Sequence, residues 1–303
     1  MKTKAENRSS LNHGDQLEAV ELLELPVSPF RERWQGSIIL NGDTRSLIKE
    51  LPNEFYHSCI TSPPYWGKRD YGYDGQIGAE EKLNDYIKDL VEIFREIRKK
   101  LRKDGTLWLN LGDSYTSGNR GWRAADKKNP ARGMSYRPTT PEGLKAKDLI
   151  GIPWRVAFAL QEDGWFLRSD IIWYKPNCQP ESVKDRPTSS HEYIFLFSKN
   201  EDYHYDADAI KEPAAEKGKT RNRRTVWLVN TEPFPEAHFA TFPEDLILPM
   251  IRASCPEDQY VLDPFFGAGT VGVVCKRTNR NYHGIELKRD YVNIAKKRIA
   301  AVR

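Results

Sequence analysis

The sequence predicts an α/β fold: a mostly parallel sheet with helices on both faces. Three observations carry that expectation. From residue 36 onward, short apolar stretches of strand length alternate with amphipathic stretches of helical period. Two of the apolar stretches run straight into Pro-rich or Gly-rich loops, as strands do when their carboxyl ends open onto a ligand crevice. Finally, 303 residues with 39% hydrophobic and 11% aromatic side chains, including 8 Trp and 14 Tyr, suffice for a large core and exclude a disordered chain.

Residues 1–35 read as a polar, partly ordered arm whose apolar stretch 20–27 could dock on the body. A first strand is expected at 37–40, ending in Asn41-Gly42-Asp43, followed by a helix over 44–51 with Leu47, Ile48 and Leu51 on one side. The buried strand 57–61 runs into Ser62-Pro63-Pro64-Tyr65-Trp66-Gly67, where two prolines end the ladder. Leu83, Tyr86, Ile87, Leu90, Ile93, Phe94, Ile97 and Leu101 have three-and-four spacing, which predicts an amphipathic helix over 82–103 closed by Lys103-Asp104-Gly105. A strand at 106–111 follows. Residues 116–147, rich in Gly, Arg, Lys and Pro, cannot form a core element. Next come a helix over 152–161, strands at 169–174 and 192–198, and a second irregular basic segment at 211–225. The last part predicts a helix over 243–253, a strand at 259–262, a glycine-bearing turn at 263–269, a helix over 270–278, a strand at 282–286 and a helix over 289–301.

Charge and cysteine usage narrow the class. With 47 basic and 43 acidic side chains the net charge is +4, too small an excess to predict a nucleic-acid partner by itself. Cys59, Cys178, Cys255 and Cys275 are far apart, form no CxxC and have no His at metal-ligand spacing, so unpaired thiols in a reducing cytoplasm and no metal are expected. No apolar run approaches the roughly 20 residues that span a bilayer, and the first 30 residues are polar where a signal peptide would be greasy, so neither membrane insertion nor secretion is expected.

Two motifs carry chemistry. Asp263-Pro264-Phe265-Phe266-Gly267-Ala268-Gly269-Thr270 lies between a strand and a helix, with Glu286 at the end of the next strand. A glycine turn lets a ligand approach the backbone, and a carboxylate one strand on can bind both hydroxyls of a ribose, so a nucleoside cofactor is the natural reading. Residues 267–272 also satisfy G-x-G-x-x-G, which leaves a nicotinamide or flavin oxidoreductase open, and a plain tight turn is the bland alternative. Thr61-Ser62-Pro63-Pro64-Tyr65 also follows a strand, so the two loops can share one crevice although about 200 residues separate them. A hydroxyl, carbonyls fixed by two prolines and an aromatic face suit a planar ring that bears an amino group. A Pro-rich turn that packs an aromatic into the core would look the same.

Together these motifs resemble the DNA amino-methyltransferases: residues 263–270 their S-adenosylmethionine-binding motif, and Thr61-Ser62-Pro63-Pro64-Tyr65 their catalytic motif. Asn41-Gly42-Asp43, residues 109–114, residues 171–177 with Lys175-Pro176-Asn177, and residues 238–243 fit as well, so the likeness covers about residues 36–300. Catalytic motif first and cofactor motif last is the order of the beta group. That implies a circularly permuted Rossmann-like methyltransferase fold over 36–303, with DNA-contacting insertions near 116–147 and 199–237.

The resemblance implies Ser62, Pro63, Pro64 and Tyr65 as the catalytic set. For the cofactor it implies Asp263, Phe265, Gly267, Gly269 and Thr270 in the turn, Glu286 on the ribose, Asp43 near the adenine, and Phe239, Thr241 and Pro243 as walls. Ser at the first motif position favours the 4-amino group of cytosine, whereas Asp or Asn there usually accompanies the 6-amino group of adenine, the runner-up. Methylation of cytosine carbon 5 needs a Pro-Cys loop, and this chain has no such pair. Arg120, Arg123, Lys217, Lys219, Arg221, Arg223 and Arg224 are the expected contacts to duplex DNA, with solvated loops as the alternative. A catalytically silent DNA-binding module is a further rival. A companion restriction endonuclease, and a monomer or homodimer, complete the expectation.

Overall fold

The computed structural model describes residues 32–116, 122, 138–232 and 241–302. Their framework is one eight-stranded sheet, formed by β1 (Ile38–Asn41), β2 (Tyr56–Thr61), β3 (Leu101–Leu111), β4 (Phe166–Tyr174), β5 (His191–Ser198), β8 (Val226–Leu228), β9 (Tyr260–Asp263) and β10 (Asn281–Glu286). Its order is β1-β10-β9-β2-β3-β5-β4-β8. From β1 to β3 every pairing is parallel; β5 is antiparallel to both β3 and β4, and β8 is parallel to β4.

Helices α1 (Thr44–Glu50), α2 (Leu83–Lys100) and α3 (Ile152–Glu162) cover one face, and α4 (Glu244–Ser254), α5 (Thr270–Arg277) and α6 (Arg289–Ala300) the other. Side chains alternate along a strand, so the central strands feed both cores. Cys59, Leu107 and Leu109 face Ile48, Phe94 and Leu160, whereas Ile60 and Trp108 face Leu246, Met250 and Val271.

The structure moves several expected boundaries. Helix α2 ends at Lys100 rather than 103, and Leu101 starts β3 by pairing with Tyr56 before a register shift. The reason is Lys100, whose ammonium turns inward to the carbonyls of Lys49 and Leu51 and to Asn53 Oδ1, which ends the helix one turn early. Strand β4 starts at Phe166, ahead of the expected residue 169. Residues 211–225 are not wholly irregular: β6 (Glu212–Pro213) and β7 (Thr220–Arg221) form a two-stranded ladder, and the three residues of β8 join the main sheet just after it. Of the expected arm, 32–34 form a 3-10 turn whose Trp34 is buried against the ring of His283, and 1–31, including the apolar stretch 20–27, lie outside the described residues. No helix among the described residues is long and apolar enough to cross a membrane.

Candidate active site

The carboxyl ends of β1, β10, β9, β2 and β3 open on a cavity of about 960 Å³. The loops after β2 and β9 both line it, as neighbouring parallel strands dictate. They are also bonded to each other: Thr61 Oγ1 donates to Asp263 Oδ1 at 2.7 Å, and the Phe265 N–H donates to the same oxygen at 3.1 Å. Asp263 Oδ2 is buried and has no hydrogen-bond partner among the described residues. Burial, with Glu286 adding to it, pushes the Asp263 carboxyl up to about 7 in spite of those two bonds.

At one end of the cavity Gly267 sits at φ +52°, and only the Phe265 carbonyl, at 3.9 Å, lies near where a side chain would begin. Its N–H donates to Glu286 Oε2 at 2.8 Å, and the Lys288 N–H donates to Glu286 Oε1 at 2.7 Å. Each carboxylate oxygen keeps a further lone pair, so Glu286 can still accept from two hydroxyls. Burial raises its carboxyl as well. Open space over a glycine and a carboxylate on the wall with lone pairs to spare suit a nucleoside.

Gly269 has another job. It lies at φ +78° before α5, and a Cβ there would come within 2.7 Å of Ala295 Cβ on α6, so this glycine permits helix packing and does not line the cavity. Asp263 stands behind the lining too, whereas Phe265, Thr270, Thr241 and Phe242 are part of it. Pro243 is a correction: it is the buried residue before α4, and Phe242 takes the wall position expected of it. Phe239 lies outside the described residues. Asp43 reaches the cavity but is engaged, capping α1 through the Arg45 N–H and pairing with the Arg45 guanidinium at 2.5 Å. Burial alone would raise this carboxyl, but Arg45 wins and holds it below its usual value.

At the other end Ser62, Pro63, Pro64 and Tyr65 all line the cavity. The Tyr86 hydroxyl donates to the Pro64 carbonyl at 2.9 Å, so that carbonyl is engaged. The Tyr65 hydroxyl donates to Glu192 Oε2 at 2.9 Å and lies 3.2 Å from Asn110 Oδ1, and the Ser62 hydroxyl donates to it at 3.3 Å. Burial, then the neighbouring Glu192, pushes the Tyr65 phenol well above its usual range. Lys175 pairs with Glu192 Oε1 at 2.5 Å, its ammonium 4.0 Å from the centre of the Trp173 ring.

Sequence reasoning missed Glu192 and Asn110 and gave Lys175 no role. The available signal was a lone carboxylate beside the apolar run Tyr193-Ile194-Phe195-Leu196-Phe197. Asp113, within the matching stretch 109–114, caps α3 by accepting from the N–H groups of Gly151 and Ile152.

The basic cluster is not brought into the cavity. Arg221 and Arg224 both pair with Glu212, Lys219 pairs with Glu216, and the Arg223 guanidinium lies 4.6 Å from the centre of the Trp227 ring. Arg120 and Arg123 lie outside the described residues.

Comparison with known proteins agrees with this geometry. A DNA methylase family profile covering the N6 and N4 enzymes matches residues 56–297. The type II methyltransferase M.SmaI of Serratia marcescens is 61% identical over 262 residues, 86% of this chain and 90% of that one. M.Cfr9I of Citrobacter freundii, also a type II methyltransferase, is 61% identical over 264 residues, 87% and 88% of the two chains. Among solved structures, the cytosine-N4-specific PvuII DNA methyltransferase superposes with a TM-score of 0.66 at 22% identity, over 87% of this chain and 86% of the other. M1.HpyAVI in complex with SAM does so at 0.56 and 19% identity, over 86% and 98%. These likenesses show that the α/β sheet is that of the methyltransferases.

Proposed function

The chain belongs to the DNA methylase family, and we propose that it transfers a methyl group from S-adenosyl-L-methionine to the exocyclic 4-amino group of cytosine in duplex DNA. The observation that carries the reading is the Thr61–Asp263 hydrogen bond, which fixes the amine-binding loop against the cofactor turn in one cavity. S-adenosylmethionine supplies a methyl group on a positively charged sulfur, a good leaving group, so no covalent enzyme intermediate is needed. The turn at Phe265 and Gly267 holds the methionine portion and Glu286 the ribose, and Thr241 and Phe242 wall the pocket.

An exocyclic amine conjugated to its ring is a poor nucleophile. Ser62 Oγ and the Pro63 carbonyl accept hydrogen bonds from its two N–H groups and turn its lone pair toward the methyl carbon; as the new C–N bond forms the C–S bond breaks, and the surplus proton on nitrogen leaves to solvent. A base inside a duplex cannot reach this cavity, so it is flipped out and held against Tyr65. Ser62, rather than an acid or amide at that position, favours cytosine, as does the cytosine-N4 specificity of the PvuII enzyme. The family profile spans both amines, so adenine N6 is the competing product.

DNA contact is assigned to the methyltransferase domain's insertions near 116–147 and 199–237. Relatives named type II methyltransferases suggest a companion endonuclease of the same target sequence. Incubating the purified protein with unmethylated phage DNA and labelled cofactor, then identifying the product nucleoside by mass spectrometry, tests the reading. N4-methylcytosine is expected, and 6-methyladenine or 5-methylcytosine would overturn the substrate assignment.

A further inference from the structure

Methyl transfer to an amine needs Ser62 as an acceptor, but a serine hydroxyl also carries a proton and rotates. If it pointed that proton at the substrate amine, it would tie up the lone pair that must attack. Something has to set its direction.

The side chains behind Ser62 form a chain with a definite polarity. Glu192, as a carboxylate, only accepts, so the Tyr65 hydroxyl 2.9 Å away must be the donor. Asn110 reinforces this. Its amide nitrogen donates to Glu192 Oε2 at 3.2 Å and to the Tyr193 carbonyl at 3.1 Å, leaving Oδ1 as a second acceptor 3.2 Å from the same hydroxyl. With its proton committed to that side, the Tyr65 oxygen offers lone pairs, and Ser62 donates to it at 3.3 Å. Both lone pairs of Ser62 Oγ are then left for the cavity.

Glu192 is itself fixed from the far side by Lys175 at 2.5 Å, and Lys175 by the Trp173 ring. Gly112 makes room for the arrangement: a Cβ there would stand 2.7 Å from the Tyr65 ring and 3.2 Å from Glu192 Oε1. All of these residues line the cavity.

We infer that Glu192 is a positioning residue that acts through the Tyr65 hydroxyl, orienting Ser62 so that it accepts from, and never donates to, the substrate amine. Lys175 holds Glu192 in the rotamer that does this. The inference rests on the methyl-transfer reading, but not on which base is methylated.

The test is a double-mutant cycle read by single-turnover methyl transfer to unmethylated phage DNA, with cofactor affinity measured by calorimetry. Tyr65→Phe deletes the hydroxyl and keeps the ring; Glu192→Gln keeps the shape and gives the end of the chain a donor. Each should slow transfer roughly ten- to hundredfold, the scale of a lost charge-assisted hydrogen bond, with cofactor Kd within about twofold of wild type. Because both act through one hydroxyl, the double variant should be no slower than the slower single variant.

Multiplying effects, a wild-type rate in Tyr65→Phe, or a loss of cofactor binding that accompanies the rate loss would each overturn the inference. Should Glu192→Gln fail to fold, Tyr65→Phe combined with Ser62→Ala supplies the same cycle, again expected to be non-additive. The product nucleoside of the wild-type reaction separates the two claims: 6-methyladenine with a non-additive cycle would refute the cytosine reading and leave the positioning role standing, while N4-methylcytosine with multiplying effects would do the reverse.

Discussion

The two ends of the cavity are held by different kinds of bond. At the end proposed for the cofactor, the Thr61 hydroxyl apart, the contacts run from main chain to carboxylate: the N–H groups of Phe265, Gly267 and Lys288 are the donors, and buried Asp263 and Glu286 the acceptors. At the base end they run from side chain to side chain through Ser62, Tyr65, Asn110, Glu192 and Lys175. A substitution at the first end therefore disturbs a turn together with its ligand, whereas one at the second removes a single functional atom from a standing frame. Binding and turnover should separate along that line.

The largest effect tests the separation directly. On the proposed function, Tyr65→Ala would remove both a stacking surface, worth roughly 1–3 kcal/mol per base, and the anchor for Ser62, and methyl transfer should fall about 10³-fold while cofactor affinity stays within about twofold. Single-turnover assays and calorimetry on the same preparation check it, and a parallel loss of cofactor affinity would merge the two ends into one.

Next in size is a contrast between two glycines of one turn. Gly269→Val forces a side chain into Ala295 at a positive φ and should destabilise the fold by roughly 2–4 kcal/mol, seen as a lower Tm without cofactor. Gly267→Val, with open space before it, should spare Tm more and weaken S-adenosylmethionine binding, because the new side chain stands on the cavity wall. Equal losses of stability in both variants would erase the distinction.

A smaller effect comes from charge at the cofactor end. Asp263 titrates near 7 in the folded chain against 3.8 ordinarily, because burial disfavours its ionised form. Its contribution to the stability of the cofactor-free protein is present below about pH 4 and lost as pH rises through 7. S-adenosylmethionine is cationic and favours the ionised carboxylate, so its affinity should drop as pH falls below 7, by at most about tenfold per unit. Asp263→Asn should flatten that profile; an unchanged slope would pass the titration to Glu286, whose carboxyl burial also raises.

The smallest expected change lies outside both ends. Were all five cations of the 217–224 cluster tracking phosphates, neutralising them would cut the salt slope of DNA binding by nearly one unit each. Arg221 and Arg224 share Glu212 and Lys219 has Glu216, so a change of only about one to two units is expected. A drop of four or more would mean that these pairs open on DNA.

The parts of this architecture that could be read in the sequence are those that repeat a local rule. Strands and helices from 244 to 300 fell within one or two residues of expectation because each strand there is short and runs into a turn that opens the next helix. The two motif loops were equally legible, since Pro63-Pro64 and Gly267-Ala268-Gly269 break the ladder wherever they stand.

The rest depended on partners distant in sequence. Lys100 looks like a helical surface residue until its carbonyl acceptors near residue 50 are placed beside it. Strand β8 has two of its three side chains exposed and is a strand only because β4 is there to pair with it. Glu192 gains its role from Tyr65, 127 residues away. Gly269 suggests room for a ligand in the sequence, which does not show that Ala295 occupies that side.

The strand order has a consequence for how the molecule is made. Of the described strands β1 is made first, yet its neighbour in the sheet is β10, with Ile38 opposite His283, and β2 waits for β9 to cover its other edge. A nascent chain stopped anywhere before residue 281 therefore carries β1 with no strand to pair with, whatever local helices have formed. Glu286 and the α6 residue that seats Gly269 emerge later still. Closure of the sheet waits on contacts more than 200 residues apart, which is slow and leaves strand edges open in the meantime. The cavity is thus completed only once β10 and the start of α6 have been made, and copies of the chain that stop before them lack its Glu286 wall.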